Sequence, residues 1–180
     1  MYGLVNKAIE GLLKKEHGPE MWEKVKNKAN FMQDNFISMK SYPDGLTYSL
    51  VAAASEELGV EASVLLEAFG EYWILYTASE GYGDMLSAGG NSLPEFLHNL
   101  NMLHFRLGNM MPEMVMPEFE IADEQPNSMR LIYKSTREGL APMVVGIVKG
   151  LGKRFNTPCS IELKASYKKE KNEDHFYVEW

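Results

Sequence analysis

The sequence predicts an α+β protein, with a helical N-terminal part and a C-terminal part in which an antiparallel sheet is mixed with helices. Three observations carry that reading. Apolar residues recur at spacings of three and four through most of the first 110 residues. Alternation with a period of two is confined to segments after residue 115. Neither an internal repeat nor a regular succession of strand and helix is present, which argues against an α/β sheet.

Residues 2–16 place Leu4, Val5, Ala8, Ile9, Leu12 and Leu13 at helical spacing, and Gly18-Pro19 ends that helix before a short second one around Trp22 and Val25. Residues 30–45 are polar and turn-rich, with Tyr42-Pro43-Asp44-Gly45 as the clearest turn, so a third helix is expected over 47–59. The fourth, over 60–78, is apolar around much of its circumference through Phe69, Tyr72, Trp73, Leu75 and Tyr76, and is expected to be deeply buried. Gly81, Gly83, Gly89 and Gly90 then interrupt the chain. Ser92-Leu93-Pro94-Glu95 supplies a cap, an early proline and an acidic first turn for a helix that runs to about Met110 and stops near Met111-Pro112. Strands are expected over 116–122 and 128–135, joined by a turn at 123–127. Helical spacing returns over 138–155, and 160–167 with 176–180 read as a closing pair of strands.

One domain covering residues 1–180 is expected, because 45% apolar and 11% aromatic residues can fill a core large enough to enclose a cofactor. The formal charge of −7 excludes a general affinity for nucleic acid or an anionic membrane, since both require a basic surface. Cys159 is the only cysteine, which excludes an internal disulfide and a thiolate metal cluster. The N-terminus has neither a continuous apolar run nor a small-residue cleavage site, and no stretch approaches the roughly 18 apolar residues of a membrane span. A cytoplasmic protein is therefore expected. Twelve methionines serve ordinary core filling as well as an irregular ligand pocket.

Leu97, Leu100, His104, Leu107 and Met111 fall on one helical stripe, so the His104 imidazole is expected to point inward. His98, six residues earlier, points largely away. A buried histidine is ordinarily a hydrogen-bonded core residue. It can equally ligate a metal, and a single histidine is too little for zinc but sufficient for a haem iron whose other face stays open to a gas. In Tyr133-Lys134-Ser135-Thr136-Arg137, alternate positions of an extended chain bring a phenol, a hydroxyl and a guanidinium to one side. Such donors match the two propionates of haem, although a surface strand running into a helix cap would read the same.

Together these residues make the chain resemble the haem nitric oxide/oxygen-binding (H-NOX) family, especially its cyanobacterial members and the haem domain of the soluble guanylate cyclase beta subunit. The match is carried by Met1-Tyr2-Gly3-Leu4-Val5-Asn6, Leu50-Val51-Ala52-Ala53-Ala54-Ser55, Phe69-Gly70, Glu95-Phe96-Leu97, Asn99-Leu100, Leu103-His104, Pro117 before Phe119, and Tyr133-x-Ser135-x-Arg137-Glu138-Gly139-Leu140. It spans essentially the whole chain. The resemblance implies a fold that encloses haem b, with His104 as the iron ligand and Tyr133, Ser135 and Arg137 as the propionate clamp. It implies that Pro117 presses on the porphyrin and that Leu4 contacts it. Where family members that hold dioxygen carry a distal tyrosine, this chain has Met143, three residues before Gly146. Ligation of nitric oxide and carbon monoxide without stable dioxygen binding is the expectation, with Trp73 and Tyr76 as the donors that would alter it.

No nucleophile with a base, phosphate loop or carboxylate pair is recognisable, so a sensor rather than an enzyme is expected. Its output would pass to a separate signalling protein such as a histidine kinase or a cyclic-dinucleotide enzyme. Competing readings are a dioxygen or redox sensor, a haem enzyme with a distal acid or base, and a haem-free module that binds an acidic peptide through residues 133–137.

Overall fold

A computed structural model describing residues 1–110, 113 and 115–180 divides the chain as the periodicity does, with helices first and sheet after. Helix α1 (Gly3–His17) buries Leu4, Val5, Ala8, Ile9 and Leu13, and its last turn carries Lys14, Lys15 and His17, the charge a helix C-terminus favours. Gly18, at φ 84°, turns the chain into Pro19, the first residue of α2 (Pro19–Lys28), which buries Trp22 and Val25.

Helix α3 (Asp44–Leu58) begins three residues before the expected start. Pro43-Asp44-Gly45 is its N-terminal turn rather than a separate bend, with the Asp44 carboxylate in the first turn where the dipole favours it. Helix α4 (Ala62–Thr77) is not deeply buried all round: Phe69, Gly70, Ile74 and Thr77 are inside, whereas Val64 and Leu75 are 58% and 60% exposed. A π-helical turn, Ala78–Tyr82, follows with Gly81 at φ 89°, and then a five-residue helix α5 (Gly83–Ser87) that the glycines concealed in the sequence.

Helix α6 (Leu93–Met110) starts as expected: the Glu95 amide donates to Ser92 Oγ, and the Glu95 carboxylate takes the Asn91 amide. The expected stripe residue Met111 and the breaker Pro112 lie outside the described residues.

The four strands β1 (Glu118–Gln125), β2 (Ser128–Lys134), β3 (Ser160–Tyr167) and β4 (Glu173–Glu179) form one antiparallel sheet in the order β1-β2-β4-β3. Strand β1 starts at Glu118 and runs to Gln125 by way of a bulge, taking up the first half of the expected 123–127 turn, with Asp123 at φ 51°. Strand β2 ends one residue early, because Ser135 Oγ accepts the Arg137 amide and closes a turn there. Residues 135–140 are therefore loop, and α7 spans Ala141–Arg154. Strand β4 begins at Glu173, after one helical turn α8 (Lys168–Lys171), and Asp174 is buried where the Ser166 hydroxyl donates to it.

Two cores result. One lies among α1–α4 around Trp22, Phe36, Leu50 and Phe69, and the other packs α6 and α7 on the sheet around Phe96, Met129, Leu131 and Phe176. They meet where α4 crosses α7. A Cβ on Gly70 would strike the Met143 carbonyl and one on Gly146 the Glu67 carbonyl, so the two backbones touch directly.

Candidate functional site

Between the two cores lies a cavity of about 470 Å³, within the usual size range of ligand sites. Its walls come chiefly from α1, α3, α4, α6, α7, β2 and the segment before β1, with Tyr82 of the π-helical turn, Met85 and Leu86 of α5 and Phe119 of β1 completing them. Most lining residues are apolar, among them Leu4, Trp73, Leu100, Leu107, Met143 and Ile147. Helix α6 carries His104 to this wall.

The imidazole is held from behind. His104 Nδ1 lies 3.1 Å from the Pro117 carbonyl oxygen, which can only accept, so Nδ1 carries the proton and Nε2 keeps its lone pair. Burial pulls the His104 pKa below its ordinary 6.5, against the opposing effect of the Pro117 bond, and the ring is neutral at pH 7. A neutral imidazole with one nitrogen anchored is the form that ligates a metal.

Asn101, one turn earlier on α6, fixes the next strand by donating to the Phe119 carbonyl at 2.6 Å and accepting the Phe119 amide at 2.9 Å. The Phe119 ring then lies 5.6 Å from the His104 ring and 5.3 Å from the Tyr133 ring, between the imidazole and the phenol. His98 faces outward as expected and pairs with Glu124 at 2.9 Å.

The expected donor cluster is only partly assembled on the cavity. Tyr133 and Arg137 line it, but Ser135 is not among its lining residues, because it sits past the end of β2 with its oxygen turned to the Arg137 amide. Burial raises the Tyr133 phenol above its ordinary 10, outweighing a hydrogen bond with Ser135, so the phenol stays protonated and can donate.

Arg137 has partners that the sequence did not reveal. Its Nε donates to Asp44 Oδ2 and its Nη1 to the Val115 carbonyl, each at 2.7 Å. Asp44 also takes the Met1 ammonium on Oδ1. Burial pulls the Asp44 carboxyl upward, but the bonds from Met1 and Arg137 outweigh it and hold the group below its ordinary range. In the sequence Asp44 reads only as a first-turn carboxylate favoured by the helix dipole, which gives no signal of this pair.

Pro117 lines the cavity beside His104, and Met143 and Trp73 line it too. Tyr76 is not among the lining residues; Tyr82, from the π-helical turn, is. The Thr77 hydroxyl, another lining group, is committed to the Trp73 and Ile74 carbonyls.

The donor set suits haem. The apolar cavity would accept a macrocycle, the neutral His104 imidazole would ligate its iron, and the Tyr133 phenol with the Arg137 guanidinium would meet its carboxylates. Among the described residues no group of three or more His, Cys, Asp or Glu is placed to hold a bare metal ion. No helix among them is long and apolar enough to cross a membrane.

Comparison with known proteins bears on the same point. The family model described as Haem-NO-binding matches residues 2–163. Soluble guanylate cyclase gcy-37 of Caenorhabditis elegans is 30% identical over 152 residues, which is 83% of this chain and 22% of that protein. Guanylate cyclase soluble subunit beta-2 of Rattus norvegicus is 37% identical over 91 residues, 51% of this chain and 13% of that protein. The chain thus spans about a quarter or less of the length of such relatives. Among solved structures, an H-NOX protein from S. oneidensis in the Fe(II)NO ligation state superposes with a TM-score of 0.89 at 18% identity, covering 99% of this chain and 98% of that one. The Fe(II) unliganded H-NOX protein from K. algicida gives 0.86 at 22% identity, covering 99% and 96%. These two establish the shared fold.

Proposed function

The chain belongs to the haem-NO-binding (H-NOX) family of haem-based gas sensors, and from that premise we propose that it holds haem b through His104 and responds to nitric oxide and carbon monoxide in preference to dioxygen. The observation that carries this reading is the neutral His104 imidazole on an apolar cavity wall, with its Nδ1 proton on Pro117 and its Nε2 free to ligate. Tyr133 and Arg137 would hold the propionates, with Ser135 supporting them from the turn, while Pro117 and Leu4 would contact the macrocycle. Haem supplies the iron that binds the gas.

The preference among gases rests on Met143, Leu4, Val5 and Ile147, which line the cavity without a hydrogen-bond donor. Bound dioxygen needs such a donor far more than nitric oxide does. The competing reading of a dioxygen sensor is favoured by one observation, the Trp73 indole on the same cavity.

The single domain of residues 1–180 acts in this proposal as a receiver in the cytoplasm, without catalysis of its own. Its output goes to a signalling partner such as a histidine kinase or a cyclic-dinucleotide enzyme. Spectra of the reduced protein without gas, with nitric oxide and in air test the whole reading. We expect a Soret band that shifts with nitric oxide and an unchanged ferrous spectrum in air before slow oxidation. A stable oxy spectrum would reverse the gas preference, and no Soret band after haem addition would remove the function.

A further inference from the structure

We infer that Asp44 is a positioning residue for the carboxylate clamp, acting through Arg137 and deciding which edge of its guanidinium an incoming carboxylate can meet. This rests on the haem reading above. A guanidinium has five N–H donors and two edges at which a carboxylate can bind with both oxygens, one formed by Nε with an Nη and one by the two Nη nitrogens. In this chain Nε donates to Asp44 Oδ2 and one Nη1 hydrogen to the Val115 carbonyl, both at 2.7 Å. The Nε edge is thereby taken, and the remaining hydrogens lie on the two Nη nitrogens. A propionate would therefore be left to the Nη nitrogens.

The anchors come from distant parts of the chain. Asp44 opens α3 and lines the cavity itself, and one helical turn later the Tyr48 hydroxyl donates to the Glu138 carbonyl at 3.0 Å, gripping the loop that carries Arg137. Val115 is two residues before Pro117, whose carbonyl holds His104. Arg137 is consequently fixed on one side by α3 and on the other by the segment that orients the imidazole. A side chain as long as arginine loses much rotamer freedom when so held. That loss is met by Asp44 before any ligand arrives, which is how preorganisation raises affinity.

The test compares Asp44→Asn, Asp44→Ala, Arg137→Ala and the Asp44→Ala/Arg137→Ala pair. Asparagine keeps an oxygen that accepts from Nε; alanine does not. Haem loss is timed by transfer to excess apomyoglobin. Asp44→Ala is expected to lose haem on the order of tenfold faster than wild type, Asp44→Asn to stay near wild type, and the double variant to match Arg137→Ala. In the haem-free chain, the Arg137 Nε–H signal in nitrogen-15 spectra should be protected from exchange in wild type and Asp44→Asn and unprotected in Asp44→Ala.

An Asp44→Ala rate equal to wild type would overturn the inference. So would an undiminished effect of Asp44→Ala in the Arg137→Ala background, or an Asp44→Asn variant as impaired as Asp44→Ala. Failure of the wild-type chain to take up haem would instead remove the haem reading, and the Nε–H signal would still decide whether Asp44 fixes Arg137.

Discussion

At the scale of single residues, the imidazole of His104 is held by groups that are themselves held. Asn101 ties α6 to the start of β1 through both the amide and the carbonyl of Phe119. Asn101→Ala removes two hydrogen bonds near the surface and should cost roughly 1–2 kcal/mol in urea unfolding. It should also loosen the His104–Pro117 pair, seen as a broadened iron–histidine band in the ferrous Raman spectrum. Met143 offers the converse experiment. Met143→Tyr places a phenol on the cavity wall and should create an oxy complex in air; an unchanged spectrum would show that the phenol does not reach the bound gas. Of the site residues, the stripe containing His104 was readable from spacing; Tyr133 and Arg137 both line the cavity, but the extended-chain alternation that grouped them stops at Lys134, and Arg137 reaches the cavity from the loop after it. Asp44 was not readable, because it pairs with Arg137 across 93 positions of sequence, and no local periodicity encodes such a contact. Ser135 was placed on an extended strand, whereas its own hydroxyl ends that strand.

Elements with both a periodic face and a chemical boundary were legible. Helix α6 has its Ser92 and Glu95 cap and its leucine stripe, and β3 occupies the expected span without a shift. Misreadings gathered where glycine, proline and aspartate serve two purposes. Pro43-Asp44-Gly45 suits a turn and a helix start alike, and the glycines of 81–90 hide a π-helical turn and α5. The α4/α7 crossing depends on glycine for a different reason, closeness rather than φ. Gly146→Ala must push the Glu67 carbonyl away or spread the helices, so it should destabilise the protein by about 1–3 kcal/mol, as overpacking does. Thermal melting of the haem-free variant measures this; a melting point within a degree of wild type would show that the crossing can give.

For the whole molecule, the cavity separates two apolar cores, and a ligand that fills it touches both. Haem binds only the folded chain in this arrangement, so stability must rise with free haem, by ~2.7 kcal/mol at a hundred times its dissociation constant. A melting temperature independent of haem concentration would mean that the cofactor does not bridge the cores. In hydrogen exchange, haem should protect α1 and α3 as well as α6, since Leu4, Thr47, Val51 and Leu100 all line the cavity.

The carbonyl behind His104 has a consequence for reversibility. A thiolate or carboxylate released from iron inside an apolar cavity would be left as a naked anion, at large cost. The His104 ring is uncharged, and its proton rests on an uncharged acceptor, the Pro117 oxygen. Were His104 to hold the haem iron as proposed, its side chain would be uncharged both bound and released, and the Nδ1 bond to Pro117 would hold the ring in place in either state. Such a tether would be able to let go and be taken up again at little electrostatic cost.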